Sequence, residues 1–369
     1  MLSSRYALAA VLTASSFAAS TLPAPGTLIV HEWGTFTSIA GPLGNAIAWL
    51  PLSGPSDLPC FVHRGGVNPN PKSTMYSLVR METPVLYFYT PKPQTVSVHV
   101  GFPAGLITEW YPKAAGPVQK SIDWQDVQVS PGDSQFATGE GASHYYAARA
   151  TDAAPLQVGE EREKLLFYRG VGDFDVPVEP VFEGTSLRLR NTGSAPIPVA
   201  LVFENRGGAM GYRVVRGLTG QVSLDAPNLA SNAAAVRAQL AAALEEMGLY
   251  PKEAQAMLAT WGDSWFEEGM RVFCLVPRAF VDGVLPLDVK PAPKQTVRVF
   301  VGRVEVLSPA MRETIETALA AGDVGALAKY GRFLPRFVDV IRASHGGNLN
   351  VSAEAVAFLK PKAVENSCR

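Results

Sequence analysis

The sequence predicts a β-rich α+β fold in which a β-sandwich region precedes a smaller region of mixed helices and strands. From Thr27 to about Asp225 the apolar segments are short and bounded by turns, which is typical of strands. After Pro227 the apolar residues take the spacing of amphipathic helices. With 369 residues, of which 47% are hydrophobic and 18% charged, the chain is long enough for two or three packed units.

The first twenty residues (1–20) are predicted to be a secretory signal peptide. Arg5 precedes an apolar stretch from Tyr6 to Phe17, and small residues follow as far as Ser20. This stretch is too short for a membrane span, and no later segment reaches about 18 consecutive apolar residues. We therefore expect a secreted or periplasmic protein that has no integral membrane span.

The predicted β-rich region covers residues 21–226. Its expected strands include VRMETPVLYFYTP (79–91), TVSVHVGFP (95–103), LITEWYP (106–112) and KLLFYRGV (164–171). The segment TSLRLRNTGSAPIPVALVFENRG is predicted to form a hairpin, because Asn191-Thr192-Gly193 supplies turn residues between two alternating runs. This pattern is common in immunoglobulin-like domains, so we expect at least one β-sandwich.

The predicted α+β region covers residues 227–369, with helices around 228–268 and 309–343. Apolar residues from Val236 to Met247 share one face of a first helix, which ends at Gly248. A second helix is expected to begin at Pro251 and to end at Gly269. The strands MRVFCLV and TVRVFVGRVEVL follow, before the last helical segments.

Charge and cysteine content exclude some functions and leave others open. The formal net charge is -1, which gives no electrostatic support for binding nucleic acid or an acidic membrane. The three cysteines, Cys60, Cys274 and Cys368, allow three disulfide pairings. The sequence contains no complete zinc, haem-attachment, nucleotide-binding or serine-hydrolase motif, so it assigns no cofactor. It also leaves the oligomeric state open.

The stretch TLIVHEWGTFTSIAG contains the first candidate site residues. Because neighbours in a strand point to opposite faces, His31 and Trp33 share one face while Glu32 lies on the other. Gly34 is the expected position of a β-bulge, which would change this arrangement. A buried Glu32 would have a raised pKa or pair with a cation such as arginine. Both alternatives remain open: a general acid or a structural ion pair.

A second Glu-Trp pair, Glu109-Trp110, suggests a catalytic interpretation. In glycan-processing sites a pair of carboxylates provides acid and base while aromatic faces stack on sugar rings. Glu32 and Glu109 are therefore the candidate catalytic residues. The alternative is that both are ordinary strand residues.

Further candidates come from aromatic, histidine and arginine side chains. Rings can stack on a sugar and an arginine can bind a carboxylate, so the candidate ligand-binding residues are Trp33, Trp110, His144, Tyr146 and Arg169. If distant strands converge, the candidate metal ligands are His31, His63 and His144. The alternatives are a sandwich rim for the first set and hydrogen-bonded core or surface histidines for the second.

The strings HEWGTFTS, VRMETPVLYFY, LITEWYP, KLLFYRGVG and VRVFVGRVEVL resemble an uncharacterised family of secreted bacterial proteins. The resemblance implies a bacterial, exported protein and carries over no activity, cofactor or catalytic residue. Two hypotheses of function follow. The first is binding of glycan or cell-envelope material through aromatic and carboxylate residues on strands. The second is a hydrolase or lyase that uses the Glu pair or a bound metal.

Overall fold

The computed structural model describes residues 28–53, 58–65, 75–139 and 143–360. The predicted signal peptide and Cys368 lie outside these residues. Within them, strands form three β-sheets that pack in a sandwich-like arrangement, and most helices follow in the second half of the chain. The predicted β-rich α+β fold is confirmed.

A nine-stranded sheet forms the centre of the molecule. Its strands in order across the sheet are β13 (Ala209–Leu218), β12 (Ile197–Arg206), β15 (Gly269–Val276), β17 (Gln295–Val306), β1 (Ile29–Ile39), β3 (Val79–Tyr89), β9 (Leu166–Gly172), β5 (Gly105–Tyr111) and β2 (His63–Arg64). β1 runs parallel to β17 and antiparallel to β3. Every residue of β1, β3, β9 and β15 is buried, including polar residues such as Glu32 and Arg271. The predicted α+β region thus contributes two strands, β15 and β17, to the middle of the same sheet that contains β1.

Two smaller sheets pack against the central one. The five-stranded sheet contains β16 (Leu287–Lys290), β4 (Gln94–Gly101), β6 (Ser121–Val129), β7 (Leu156–Val158) and β8 (Glu161–Glu163). The three-stranded sheet contains β10 (Val178–Glu183), β11 (Ser186–Asn191) and β14 (Gln221–Asp225). The expected strand in TVSVHVGFP is confirmed as β4, whose residues alternate between buried and more exposed positions.

The hairpin predicted around Asn191-Thr192-Gly193 is wrong. β11 pairs with β10 and β14, whereas β12 joins the nine-stranded sheet. The turn residues therefore lead the chain from one sheet to another. The Asn191 side-chain amide stabilises this crossing, because it donates to the carbonyl oxygens of Ala195 and Leu218 at 2.8 and 2.7 Å.

The α-helices are α1 (Ala233–Glu246), α2 (Pro251–Thr260), α3 (Arg278–Val284), α4 (Pro309–Ala321), α5 (Val324–Ala328), α6 (Leu334–Ser344) and α7 (Ala353–Leu359). Short 3-10 helices occupy His144–Arg149 and Gly331–Phe333. The prediction that the second helix reaches Gly269 is wrong, because α2 ends at Thr260 and turns follow. Glycine at position 262 disfavours continuation of the helix. The Arg237 guanidinium also donates to the Gly262 carbonyl oxygen at 2.6 Å.

The central sheet has two differently covered faces. On the helix face, Trp33 of β1 packs in one core with side chains of α1 and α2 such as Leu240 and Met257. On the sheet face, Val30 and Phe36 share a core with residues of the smaller sheets. Both faces are thus buried, and the face on which a side chain lies decides which layer it contacts.

The predicted irregularity at Gly34 is present, but the extra residue lies in β3. The register moves from Trp33 opposite Val85 to Thr35 opposite Glu82, so β3 advances three residues while β1 advances two. β1 itself keeps an unbroken register with β17. A Cβ at Gly34 would lie 2.6 Å from the Phe300 ring, which explains the glycine. His31 and Glu32 therefore stay on opposite faces.

Candidate functional site

Glu32 lies on the sheet face of β1 with no solvent exposure. Its carboxylate accepts hydrogen bonds from Arg298 Nε at 2.5 Å and from the Tyr168 hydroxyl at 2.6 Å. Burial and the Glu32 charge raise the pKa of Tyr168, so this phenol stays protonated and donates. Of the two alternatives left open by the sequence, the structure shows the ion pair with arginine.

Glu109 pairs with Arg169, whose Nε lies 3.0 Å from the carboxylate. The Thr108 hydroxyl also donates to this carboxylate. Arg169 follows Tyr168 in β9, and neighbours in a strand point to opposite faces. Glu109 is therefore on the helix face, whereas Glu32 bonds to Tyr168 on the sheet face. The structure does not bring the two predicted catalytic carboxylates together.

His31 belongs to a buried cluster at the N-terminus of α2. Its Nδ1 lies 2.8 Å from the Glu253 carboxylate, which also accepts the Tyr89 hydroxyl and the Tyr250 backbone N–H, both at 2.8 Å. Burial first, and the Glu253 charge second, raise the pKa of Tyr89 and Tyr250. The cluster ties β1 and β3 to α2, and His31 is 1% exposed.

The histidines predicted as metal ligands are His31, His63 and His144, and each has a different partner. His63 Nε2 lies 2.7 Å from the Glu161 carboxylate, and His144 Nε2 lies 3.1 Å from that of Asp263. In the part of the chain that the structure describes, no three His, Cys, Asp or Glu side chains are grouped so that they could hold a metal ion. The geometry thus gives the metal hypothesis no support.

The two tryptophans predicted to bind ligand have different surroundings. Trp33 is completely buried in the helix-face core, with its ring 6.2 Å from that of Tyr87. Trp110 is half-buried, and its ring is roughly parallel to the His63 imidazole at 6.3 Å. An external ligand can therefore reach Trp110 but not Trp33.

Trp110 belongs to a group of half-buried rings that we call the aromatic surface, which comprises Phe61, His63, Trp110, Phe136 and Tyr146. The Arg149 guanidinium lies 5.9, 5.4 and 5.0 Å from the rings of Phe61, Phe136 and Tyr146. The buried Tyr111 ring connects the two halves, since it lies 4.8 Å from Phe61 and 5.9 Å from His63. The rings are therefore contiguous.

Glu163 holds Arg149 in place beneath the aromatic surface. Its two carboxylate oxygens accept from Arg149 Nε at 2.9 Å and Nη2 at 2.6 Å, and the Tyr145 hydroxyl donates at 2.9 Å. Although burial lowers the pKa of Arg149, the Glu163 interaction outweighs it and raises the pKa, so the cation is maintained. The rings that pack on Arg149 are thus fixed by a charge-assisted, bidentate contact.

Two of the five predicted ligand-binding residues, Trp110 and Tyr146, lie on the aromatic surface. Tyr146 is fixed there because its hydroxyl accepts the Gly139 N–H at 2.7 Å. Arg169 is committed to Glu109 on the helix face. His144 precedes Tyr146 but bonds to the end of α2, where its Nδ1 lies 2.8 Å from a backbone carbonyl oxygen.

A buried ionic network at the far end of the helix face contains Arg303 and Glu305, which sequence reasoning did not single out. Arg271 and Arg303 both donate to Glu305, at 2.9 and 2.6 Å, and Arg303 also reaches Glu267 at 2.7 Å. Burial would raise the pKa of Glu305, but the two arginines together lower it. The alternation in VGRVEV is typical of a strand with one face in solvent. In the folded protein these charged side chains are buried, because segments that are distant in sequence cover that face.

Glu82 is a second residue that the sequence did not single out. Arg332 donates to its carboxylate at 2.7 Å, across 250 positions of sequence. The residue that follows, Thr83, has a φ of 48°, which is unusual for a β-branched side chain. The one sequence signal is Pro84, which is misplaced in a central strand and marks the bulge.

Comparisons with known proteins do not extend this description. No protein-family model matches the chain, and a search of curated proteins finds no significant match. Among the helices that the structure describes, none is long and apolar enough to cross a membrane. The case for a function therefore rests on the side-chain arrangement.

Proposed function

We propose that this chain is a secreted or periplasmic protein that binds glycan or other cell-envelope material at the aromatic surface. The observation that supports the proposal is the contiguous group of half-buried rings beside ionised side chains. Sugar recognition combines stacking on ring faces with hydrogen bonds to hydroxyl groups. The exported location is part of the proposal and is supported by the N-terminal sequence.

The polar partner beside the rings is Glu161. It accepts His63 Nε2 at 2.7 Å and the Lys113 backbone N–H at 2.5 Å, and its side chain is 28% exposed. The His63 side chain is 32% exposed. A carboxylate and an imidazole next to the Trp110 ring provide the acceptor and donor groups that a sugar hydroxyl needs.

The rings are also held in position before any ligand arrives. Arg149 and Glu163 fix Phe61, Phe136 and Tyr146 from beneath. A preorganised surface loses less conformational entropy on binding than a flexible one. This arrangement favours a binding surface.

The alternative of a hydrolase or lyase has less support from the geometry. Glu32 and Glu109 are 0% and 6% exposed, each is paired with an arginine, and they lie on opposite faces of a sheet. An acid–base pair must flank one scissile bond. A shared substrate would therefore have to pass through the sheet.

Co-sedimentation with purified peptidoglycan sacculi tests the proposal, with Trp110→Ala as the decisive variant. We expect wild-type protein to sediment with sacculi and Trp110→Ala to bind about tenfold more weakly, the loss typical of one stacking residue. Tyr212→Ala is the control, because Tyr212 is a half-buried ring on β13 at the other edge of the sheet. Failure of wild-type protein to bind, or equal losses in both variants, would refute the proposal.

A further inference from the structure

Cys60 lies at the border of the aromatic surface and is disulfide-bonded. It is exposed and directly precedes Phe61, a member of that surface. A Cβ at Gly139 would lie 3.3 Å from the Tyr146 hydroxyl and 3.9 Å from the Cys60 nitrogen, so Cys60 also lies near a second ring of the surface. The disulfide therefore joins a second cysteine to this border.

The partner of Cys60 follows from the cysteines of the chain. The sequence contains three, and one of them, Cys274, is free and completely buried in β15. The structure comprises a single chain, so the bond of Cys60 lies within that chain. The one cysteine left to form it is Cys368, which lies outside the described residues.

This bond would bring the C-terminus of the chain to the aromatic surface. The described residues end at Lys360, and Cys368 is the last residue but one. The Cα atoms of bonded cysteines lie about 4.4–6.8 Å apart, and consecutive Cα atoms lie about 3.8 Å apart. The Cα atom of Cys368 would consequently lie within about 11 Å of that of Phe61. The residues next to Cys368 can then contact the rings.

The segment that carries Cys60 is attached unevenly to the rest of the protein. Among the described residues, the hydrogen bonds from 58–65 to other segments begin at His63, where β2 pairs with β5. The residues before His63 depend on side-chain packing, as in the contact of the Phe61 ring with that of Tyr111 at 4.8 Å. A disulfide at Cys60 supplies an attachment at the end where these hydrogen bonds are absent.

We propose that a disulfide between Cys60 and Cys368 docks the C-terminal segment, 361–369, at the border of the aromatic surface and thereby holds Phe61 in position. When the bond forms, the two thiols lose two protons and two electrons, which the disulfide of an exchange partner accepts. Such bonds persist in the oxidising compartments to which exported proteins are delivered. The bond does not depend on what the aromatic surface binds.

Peptide mapping of the full mature protein tests the linkage directly. Trypsin cleaves after lysine and arginine, so it yields the C-terminal peptide AVENSCR (363–369), a peptide that ends at Arg64 and contains Cys60, and VFCLVPR (272–278) with Cys274. The exported protein is denatured, alkylated without a reductant and digested. We expect mass spectrometry to find AVENSCR linked to the peptide that ends at Arg64, and VFCLVPR alkylated.

Other linkage patterns overturn the proposal. They are an alkylated AVENSCR peptide, a bond between Cys60 and Cys274, and a bond between the Cys60 residues of two copies. Sedimentation with sacculi has no part in this measurement. A protein that shows the expected linkage but does not bind sacculi would therefore refute the proposed function and leave the disulfide in place.

Hydrogen exchange tests whether the bond positions Phe61. In Cys368→Ser we expect the backbone amides of 61–64 to exchange about tenfold faster than in wild type, because this segment opens more readily without its covalent attachment. Cys60→Ser and wild type treated with a reductant should show the same increase. Cys274→Ala is the control, since it removes a cysteine but leaves the bond intact. Equal exchange of 61–64 in Cys368→Ser and wild type overturns the positioning role.

Discussion

Replacing Glu32 with glutamine tests whether this residue has a structural role. The Glu32 and Arg298 side chains are 0% and 1% exposed and lie 2.5 Å apart. Glutamine keeps the shape and can still accept from Tyr168, but it leaves the Arg298 guanidinium without its buried counter-charge. The remaining partner, Asp282, is 44% exposed and is therefore screened by solvent.

Removing one partner of a buried pair costs about 3–5 kcal/mol, so we expect Glu32→Gln to lower the free energy of unfolding by this amount. Urea titration followed by tryptophan fluorescence and far-UV circular dichroism measures the change. The double variant Glu32→Gln/Arg298→Met should regain much of the loss, because no buried charge is then left unpaired.

The matched control is Glu183→Gln, since Glu183 pairs with Arg188 at 2.6 Å but is 54% exposed. An exposed pair contributes at most about 1 kcal/mol, so this variant should remain close to wild type. If Glu32→Gln unfolds at the same urea concentration as Glu183→Gln, the ion pair of Glu32 with Arg298 does not stabilise the fold as described here. If Glu32→Gln instead lost a hydrolase or lyase activity of the wild-type protein at unchanged stability, the hypothesis that Glu32 is catalytic would be favoured again.

Two further predictions concern buried titratable groups. Burial would raise the pKa of Glu82, but Arg332, Arg80 and Arg303 lower it below its ordinary 4.5. The stability that Glu82 contributes is therefore present above pH 4.5 and is lost as pH falls below it. Urea midpoints between pH 7 and pH 3 should consequently fall less steeply for Glu82→Gln than for wild type, and parallel curves would contradict this. Burial raises the pKa of the free Cys274 thiol to about 12. We therefore expect Cys274 to react with a thiol reagent only after the protein is unfolded. Prompt reaction of the native protein would refute the burial of this thiol.

Cysteine pairing illustrates what composition leaves open. The sequence allows three pairings, and the structure narrows them because Cys60 is disulfide-bonded while Cys274 is free. This excludes both pairings that involve Cys274. The decision depends on which positions the fold brings together, and spacing along the chain does not contain that information.

The candidate site was predictable only in part. The sequence analysis predicted Trp110 and Tyr146 as ligand-binding residues, and both lie on the aromatic surface. It did not indicate that Glu163 holds Arg149, which organises that surface through three of its rings. It also could not tell that Glu32 and Glu109 lie on opposite faces, since they come from different strands.

The sequence by itself determined most strands, the change to helices after Pro227, and the separation of His31 from Glu32. These follow from the alternation of side chains along a strand and from the 3.6-residue period of a helix, which are local properties. Only the tertiary structure decided which side chains pair with one another across the molecule. Glu32 meets Arg298 across 266 positions because β1 and β17 are adjacent and parallel, and chain topology sets that adjacency.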